Sequence, residues 1–549
     1  MAPPGMNIEV LAETDTTAVT LPEPLTISGI GKRRTAAGRL IAGVAAVSDV
    51  EAFKGHTSHL HKPLARRWDH RLTKESAGRQ GNRLKGAAKY LKTPGIISLG
   101  GGLPSSEYFP FDELSVKVPT GKRFTEQEVS DTGVTVTAGK HDLANEKSLF
   151  DIETAFNYGQ GTGSAQLLRY LIEHTELVHN PPYQDWQCTM TIGSTSALDM
   201  ALRMFLSYGD YVLTEEYTFS AAAEATRQMG GRLLSIPIDE EGLIPSEIDK
   251  LLSSWDPVAR NARKPFLIYT VPTGQNPTGA TMSLSRRKAL YAIAQKHDLL
   301  ILEDEPYYFL QMQPYTGPNA PDAPLPATHA DFITSLVPSL LSLDTDGRVI
   351  RMDSFSKVIA PGSRVGWITA PAQLVERYVR HADLSTQSPS GMSQLVLYKL
   401  LDEHWGHDGY LDWLMHMRVE YTRRRDVMLG ACDRHLPKEI VSWTPPMAGM
   451  FHWMRVDYTQ HPAFKSGRKD VLEIEEDIFQ ASIRHGALVM KGSFFYADEE
   501  IAHDTMFFRA TYAAAPFEKI VEAVRRFGEA VREEFGLVSG EGNGEANGH

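Results

Sequence analysis

Along the middle of the chain, short apolar runs alternate with stretches whose apolar residues recur every three or four positions. The runs have the length of strands, and they lie at 188–192, 211–213, 266–271, 299–302, 349–352 and 365–369. Helical spacing separates several of them, as at 196–207 and 283–298. This alternation of strands and helices predicts an α/β fold whose mostly parallel sheet is covered by helices on both faces.

The pattern changes beyond Pro437, where strands and long helical stretches are interleaved. The strand-sized runs of this part lie at 450–454, 487–490 and 505–509. Such interleaving is typical of an α+β arrangement. We therefore expect a smaller α+β domain, formed by residues 94–155 and 388–535, beside a larger domain at 156–387.

Several segments do not fit either domain. Two polar stretches with little helical patterning, 117–150 and 314–346, are predicted insertions. Residues 1–93 are expected to form an N-terminal arm whose first 30 or so residues are flexible, because they combine Pro, Thr and acids without an apolar period. Residues 536–549 are expected to form a disordered, Gly-rich tail.

Composition narrows the class of protein. The 549 residues are 42% hydrophobic and 23% charged, which is ordinary for a folded soluble protein. Acidic residues outnumber basic ones by 68 to 56, and the net charge of −12 argues against broad nucleic-acid binding. No apolar run reaches the roughly 18–20 residues of a membrane helix, and no signal peptide is expected. Two cysteines cannot form a disulfide framework, which favours a reducing, cytoplasmic compartment.

Polar side chains that can carry chemistry follow several of the predicted strands. Ligands of open α/β sheets bind at the carboxyl ends of the strands, so these side chains are expected to meet at one rim. They are Asn276 after 266–271, Asp304 and Tyr307 after 299–302, Lys357 and Arg364 after 349–352, and the helix start at Ser194 after 188–192. The rim would combine an amide, a carboxylate, a phenol, an amine, a guanidinium and a helix N-terminus.

Each of these residues also has an ordinary explanation when it is taken alone. Asn276 begins an Asn-Pro-Thr-Gly turn, Asp304 could be an ion-paired acid, and a single lysine is usually a solvated surface residue. Ser354 and Lys357 also fit the Ser-x-x-Lys motif of serine acyl enzymes, but a Pro-Gly pair four residues on would break the helix which that motif needs. His404 and His407 lie three positions apart without a nearby cysteine, which favours a solvated helix face over a metal site.

The order of the motifs resembles the fold-type-I pyridoxal-phosphate-dependent aminotransferases. The similarity is to the group, found in fungi and animals, that acts on aromatic amino acids, 2-aminoadipate and kynurenine. It covers about residues 94–538 and rests on eight stretches, namely ISLGGGLPSSEYFPF (97–111), NYGQGTGSAQLLRYL (157–171), IGSTSAL (192–198), TVPTGQNPTG (270–279), ILEDEPYYFLQ (301–311), DSFSKVIAPGSRVGW (353–367), GMFHWMRV (449–456) and FFRATY (507–512). The resemblance implies a large cofactor-binding domain and a smaller α+β domain.

The resemblance implies that pyridoxal phosphate is the cofactor and assigns residues to it. Lys357 would be the amine that holds the cofactor's aldehyde, and Asp304 the carboxylate that faces the ring nitrogen. Tyr307 and Asn276 would donate to the ring oxygen, and Phe219 would stack on the ring in place of the tyrosine that many members have. The phosphate would be bound by Ser194, Thr195, Ser354 and Arg364, and also by Tyr158.

The resemblance also implies how substrates and subunits are arranged. Arg509 would hold the α-carboxylate of an amino acid or 2-oxo acid, and Gly102, Asn276 and Tyr158 would contact the substrate as well. Tyr158 would reach the phosphate across a subunit interface, so a homodimer with shared active sites is expected. No membrane or nucleic-acid partner is expected.

These implications define a function hypothesis. The chain would move the amino group of tyrosine, phenylalanine or tryptophan to a 2-oxo acid such as 2-oxoglutarate, in a ping-pong exchange with Lys357 as the proton carrier. 2-Aminoadipate and kynurenine stay open as donors, because members of the group accept them. A transcription regulator built on the same fold is an alternative of another class, since residues 32–86 are basic, although they lack two clear successive amphipathic helices.

Overall fold

The computed structural model describes residues 25–537, except 47, 49, 56–60, 88–89, 91–94, 96, 98, 318–323 and 502–503. Its strands are β1 (Glu113–Val118), β2 (Val134–Gly139), β3 (Trp186–Thr191), β4 (Tyr211–Glu215), β5 (Arg232–Ile236), β6 (Ile238–Asp239), β7 (Gly242–Leu243), β8 (Leu267–Thr270), β9 (Leu300–Asp304), β10 (Val349–Ser354), β11 (Gly366–Pro371), β12 (Val441–Trp443), β13 (Phe451–Val456), β14 (Met490–Lys491) and β15 (Phe507–Thr511).

The helices are α1 (Ile27–Ala37), α2 (Lys74–Gly78), α3 (Arg83–Ala87), α4 (Glu126–Thr132), α5 (Ile152–Ala155), α6 (Ala165–His179), α7 (Gly193–Phe205), α8 (Ser220–Gln228), α9 (Pro245–Ser253), α10 (Leu284–Lys296), α11 (His329–Ser335), α12 (Ala372–Ala382), α13 (Gly391–Tyr398), α14 (Gly406–His435), α15 (Pro462–Lys465), α16 (Val471–Arg484) and α17 (Phe517–Phe535). A π-helical stretch, Lys399–Trp405, joins α13 to α14. Within the described ranges, no helix is both long and apolar enough to cross a bilayer.

A seven-stranded sheet forms the centre of the molecule, in the order β3-β11-β10-β9-β8-β4-β5. The strands from β10 to β5 run parallel to their neighbours, whereas β11 is antiparallel to both β10 and β3. Every residue of β8 through β11 is buried, as expected for strands that helices cover on both faces. The predicted α/β fold with its mostly parallel sheet is confirmed.

A second, four-stranded sheet is antiparallel and has the order β12-β13-β15-β14. Its strand β13 pairs with β15 so that Trp453 lies opposite Arg509. The long helix α14 packs against α17, which follows this sheet in the chain. Strands interleaved with long helices are the α+β arrangement that the sequence predicts for this part of the chain.

The two stretches predicted as insertions both contain regular structure. In the first, β1 and β2 pair as an antiparallel hairpin around α4. In the second, α11 is followed by residues 336–344, of which Leu336, Leu340, Leu341 and Asp344 are buried. This second stretch therefore contributes to the core, although its sequence is polar overall.

The N-terminal arm is ordered earlier than the sequence suggests. Helix α1 begins at Ile27, near the end of the stretch of 30 or so residues that is expected to be flexible. The Thr26 hydroxyl accepts a hydrogen bond from the helix backbone, and Ile30 is buried against the body of the protein. Arg34 lies 2.5 Å from the carboxylates of both Glu173 and Asp402. Residues 1–24 and 538–549, which include most of the expected flexible ends, lie outside the described residues.

The helix face that carries His404 and His407 is not solvated, and that expectation is wrong. His407 is buried, with Nε2 3.3 Å from the Glu173 carboxylate and its ring stacked on Tyr170 at 4.4 Å. His404 is half-buried, and its Nε2 lies 3.0 Å from the carbonyl oxygen of Pro119. Both side chains are drawn inward because α14 and the π-helical stretch pack between α6 and the first insertion.

Basic residues in 32–86 serve contacts within the chain. Besides Arg34, the side chains of Arg66 and Arg71 pair with Asp298. The short helix α2 packs on α12, where Ser76 lies 3.1 Å from Nε2 of His381. The described parts of this segment therefore pack against the body of the protein.

Candidate active site

A cavity of about 440 Å³ lies at the carboxyl ends of the central strands. Nine residues that the sequence analysis assigns to the cofactor line it, namely Ser194, Thr195, Phe219, Asn276, Asp304, Tyr307, Ser354, Lys357 and Arg364. They come from the start of α7, the loops after β4 and β8, the end of β9 and the turn after β10. These side chains meet because they follow the carboxyl ends of neighbouring strands, although Ser194 and Arg364 are 170 positions apart in the sequence.

Asp304, the last residue of β9, carries the site's most unusual carboxylate. Its Oδ2 accepts a hydrogen bond of 2.8 Å from the Tyr269 hydroxyl. Its Oδ1 is buried and makes no hydrogen bond to any described residue. Burial raises the pKa of Asp304 to about 6, although Tyr269 and the nearby Ser194 hydroxyl hold it down. A carboxylate in this position is suited to a cationic partner in the cavity.

Glu305 follows Asp304 directly but faces away from the cavity. Its Oε1 accepts a hydrogen bond from the Thr273 hydroxyl at 2.9 Å and lies 3.2 Å from Arg287. Successive side chains of a strand point to opposite faces, which is why one carboxylate lines the cavity and the other belongs to a buried ion network. Asp304 is therefore the carboxylate that a bound molecule would meet.

Lys357 sits in the turn that follows β10 and borders the cavity. Burial, and then the positive charge of Arg364, lower the pKa of its amine. Lys357 makes no hydrogen bond or ion pair within the part of the chain that the structure describes. The next residue is fixed by α14, because the Trp413 indole donates a 2.6 Å hydrogen bond to the Val358 carbonyl. The arrangement gives an amine that deprotonates readily on an anchored turn.

Arg364 packs against the N-terminus of α7 and forms an anion-binding corner. Its guanidinium donates to the carbonyls of Ile192 at 3.1 Å and Pro361 at 2.8 Å. A Cβ on Gly193 would lie 2.4 Å from Arg364 Nη2, so a larger residue would displace the end of this arginine, and the φ of +75° also favours glycine. The Ser194 hydroxyl is buried without a hydrogen-bond partner among the described residues. A guanidinium, a hydroxyl and a helix N-terminus are donors suited to phosphate.

Arg509, in the centre of β15, adjoins the cavity through Asn276. Its Nη1 donates a 2.8 Å hydrogen bond to Asn276 Oδ1, which leaves the amide's own donors available. Burial lowers the pKa of Arg509 from its high ordinary value, while Tyr307 acts in the opposite direction. The guanidinium remains a cation and can receive a carboxylate.

Two predicted site residues lie apart from this cavity. Tyr158 is 63% exposed and Gly102 is also exposed, and neither lines the cavity of the single chain. Conversely, the sequence analysis missed Tyr269 as the hydrogen-bond donor to Asp304, and Phe451 as a wall of the cavity. For Tyr269, the available signal was a phenol inside the mostly apolar run at 266–271.

Comparison with known proteins gives consistent results. The family model described as "Aminotransferase class I and II" matches residues 127–527. An aromatic amino acid aminotransferase of Schizosaccharomyces pombe is 44% identical over 469 residues, which is 85% of this chain and 98% of that protein. An L-tyrosine:2-oxoglutarate aminotransferase of Serpula lacrymans is 34% identical and covers 78% of this chain and 83% of its own. The crystal structure of aminotransferase Aro8 from Candida albicans superimposes with a TM-score of 0.82 at 43% identity, covering 87% of this chain and all of its own.

Proposed function

The chain belongs to the class I and II aminotransferase family, and from that premise we propose that it transfers the amino group of an aromatic L-amino acid to a 2-oxo acid with pyridoxal phosphate as cofactor. The resemblance seen in the sequence motifs is confirmed by the family match. The aromatic donor is supported by the name of the Schizosaccharomyces pombe relative, and 2-oxoglutarate as acceptor by the name of the Serpula lacrymans relative.

The residues around the cavity fit pyridoxal phosphate. The observation that carries the proposal is that one cavity holds both Asp304, whose buried Oδ1 makes no hydrogen bond to a described residue, and a lysine of lowered pKa. Asp304 would face the ring nitrogen, Lys357 would hold the aldehyde carbon, and Tyr307 and Asn276 would donate to the ring oxygen. The corner formed by Arg364 and α7, together with Ser354, would bind the phosphate. When bound, the cofactor supplies an electron sink that stabilises negative charge on the substrate's α-carbon.

The chain's own residues then provide binding and proton transfer. Arg509 binds the substrate's α-carboxylate, which fixes the α-carbon with respect to Lys357. The Lys357 amine would accept the α-proton of the amino acid at Nζ and pass it on to the bound cofactor within the same half-reaction. In the second half-reaction it would move a proton in the reverse direction, onto the α-carbon of the new amino acid, and positioned proton transfer of this kind contributes about 10²–10⁴-fold in rate. Asp304 keeps its negative charge throughout, with the Tyr269 hydroxyl as its fixed donor. Amino donor and oxo acceptor use the same site in turn, so the kinetics are of the ping-pong type.

The proposal is tested with the purified protein and its Lys357→Ala variant. The wild type should absorb in the visible range after incubation with pyridoxal phosphate, and tyrosine, phenylalanine or tryptophan should bleach this band and release the 2-oxo acid. Lys357→Ala should lose both the band and turnover, whereas Lys250→Ala, at an exposed position of α9, should retain both. A wild type that shows neither band nor turnover with any amino donor would contradict the proposal.

The amino donor is assigned by a competition screen. Tyrosine, phenylalanine, tryptophan, kynurenine and 2-aminoadipate are each paired with 2-oxoglutarate, and kcat/KM is compared. We expect the aromatic donors to have the highest values. A preference for 2-aminoadipate would keep the aminotransferase assignment and replace the donor.

We further propose that the chain works as a cytoplasmic homodimer. Large apolar side chains between positions 84 and 111 are strongly exposed in the single chain, including Leu99 at 95%, Ile97 at 89% and Tyr108 at 81%. Water-exposed apolar surface of this kind is stabilised when a second copy covers it. A partner would also explain why Tyr158 lies outside the cavity of its own chain. Light scattering should give a mass near 122 kDa, twice the 61.0 kDa of one chain.

A further inference from the structure

Arg509 is a half-buried cation without an anionic partner among the described residues. Its guanidinium carbon instead lies 4.4 Å from the centre of the Phe451 ring and 4.6 Å from the centre of the Phe495 ring. The only side-chain hydrogen bond found for it in the described ranges is the one to Asn276. Aromatic faces attract a cation and hold the guanidinium plane, but they do not neutralise its charge.

The two rings come from different parts of the second sheet. Phe451 is the first residue of β13 and is buried at 7% exposure. Phe495 closes a short 3₁₀ turn, Gly492–Phe495, and is 5% exposed. Because β13 and β15 are paired in register, Phe451 cannot shift with respect to Arg509 without breaking the ladder.

Phe495 is also tied to the central sheet. Its carbonyl accepts a 2.8 Å hydrogen bond from the Thr218 amide, one residue before Phe219 in the cavity wall. Its ring packs against Trp453 at 6.1 Å, and Trp453 in turn packs against Tyr217 at 5.2 Å. Phe495 therefore links the substrate-binding strand β15 to the segment expected to stack on the cofactor.

We propose that Phe451 and Phe495 form a clamp that positions Arg509 for the substrate's α-carboxylate, with Phe495 as the residue that sets its distance from the cofactor segment. This inference rests on the proposed function. A free arginine side chain loses much rotamer entropy when it binds an anion, and the clamp removes this loss before the substrate arrives. A carboxylate partner could also hold Arg509, but it would compete with the substrate. The aromatic clamp orients the cation and leaves it available.

The neighbouring Phe494 is a matched control. It is 50% exposed, packs edge-on against Phe479 at 6.2 Å, and lies over the Lys491 amine at 4.6 Å. It therefore shares the residue type and the turn of Phe495 but none of its contacts with Arg509. Phe495→Leu and Phe494→Leu remove the same ring from the same turn.

The test uses the holoenzyme and two analogues of phenylalanine, each of which lacks one of its functional groups. 3-Phenylpropionate has the carboxylate and ring of phenylalanine without its amino group, and 2-phenylethylamine has the amino group and ring without the carboxylate. Phe495→Leu should weaken 3-phenylpropionate binding about tenfold and raise the KM of both amino and oxo acids by a similar factor. Its kcat should fall less than threefold, and its affinity for 2-phenylethylamine and pyridoxal phosphate should change less than twofold. Phe494→Leu should leave all of these values near those of the wild type.

Four outcomes would overturn parts of this reasoning. Equal weakening of both probes by Phe495→Leu would make Phe495 a wall of the pocket and contradict the clamp. Equal effects of Phe495→Leu and Phe494→Leu would also contradict it. If Phe495→Leu does not fold, Phe495→Tyr, which keeps the aromatic face, is compared with Phe495→Ala and Phe495→Met. The clamp is contradicted if Phe495→Tyr does not bind 3-phenylpropionate more tightly than those two variants. A wild type that binds neither probe and transaminates no amino acid would instead contradict the proposed function, and the clamp with it.

Discussion

Replacing Asp304 by asparagine separates the effect of this buried charge on the free energy of unfolding from its role in catalysis. Burial raises the pKa of Asp304 to about 6 in the folded chain, from an ordinary value of 3.8. Between these values the folded state binds more protons than the unfolded state, so the free energy of unfolding falls as the pH rises from about 4 to 6. At about 1.36 kcal/mol for each pH unit of this window, the cost above pH 6 reaches about 3 kcal/mol.

Asparagine has nearly the shape of aspartate and carries no charge. The cofactor-free Asp304→Asn protein should therefore unfold with a free energy about 3 kcal/mol above that of the cofactor-free wild type at pH 8, and only about 1 kcal/mol above it at pH 4.5. Urea denaturation followed by tryptophan fluorescence measures both values. Asp112→Asn, at an exposed position, should change the free energy by less than about 0.5 kcal/mol at either pH.

The same substitution should be costly for function. Asparagine cannot place a negative charge opposite the cofactor ring, so we expect turnover to fall by at least about 100-fold. Added pyridoxal phosphate should raise the melting temperature of the wild type more than that of Asp304→Asn, because a ligand stabilises the folded state according to its affinity. A stability gain that is equal at pH 4.5 and pH 8 would refute the reasoning, since it could not come from the titration of Asp304.

Two further predictions concern the arm and the anion-binding corner. Arg34→Met removes the guanidinium that bridges two buried carboxylates and leaves only Arg169 beside Asp402 and His407 beside Glu173, a loss of up to about 3 kcal/mol. Amide hydrogen exchange of Ile27–Ala37 should therefore accelerate by up to about 100-fold, while Lys32→Met leaves it unchanged. Exchange that is equal in both variants would contradict a docking role. Gly193→Ala places a Cβ 2.4 Å from Arg364 Nη2 at a positive φ, so titration with pyridoxal phosphate should show at least tenfold weaker binding; unchanged affinity would mean that the phosphate binds elsewhere.

The central sheet could be predicted because its strands are buried on both faces. Such strands are continuous apolar runs in the sequence, and all six predicted runs overlap β3, β4, β8, β9, β10 or β11. The edge strand β5 was missed, because its residues are only partly buried and its sequence, RLLSI, lacks a clear period. The hairpin of β1 and β2 was missed for a related reason: its residues are mostly exposed, so no apolar run marks it.

The candidate site could be predicted where position along the chain determines position in space. Side chains that directly follow a parallel strand reach the rim, and that rule is sufficient for Asp304 and Lys357. The rule does not predict Phe451 and Phe495, because these residues approach Arg509 only where the second sheet packs against the segment before Phe219. Contacts of this kind depend on how two sheets pack, and no local pattern in the sequence encodes them.

Three consecutive acids show how the fold assigns different tasks to the same chemistry. Glu303 and Glu305 point to one face of β9, where they lie 3.4 Å and 3.2 Å from the buried guanidinium groups of Arg351 and Arg287 respectively. Asp304 points to the other face, where no described cation is paired with it. Arg351 also pairs with the buried Asp353 at 2.8 Å, so the charges of Glu303 and Glu305 belong to a buried ion network, whereas the charge of Asp304 faces the cavity. The alternation of side chains along β9 thus separates the carboxylates that are paired with arginine from the one that is not. A shift of β9 by one residue would turn Glu303 and Glu305 towards the cavity and turn Asp304 away from it. The proposed chemistry depends on Asp304 and would be lost.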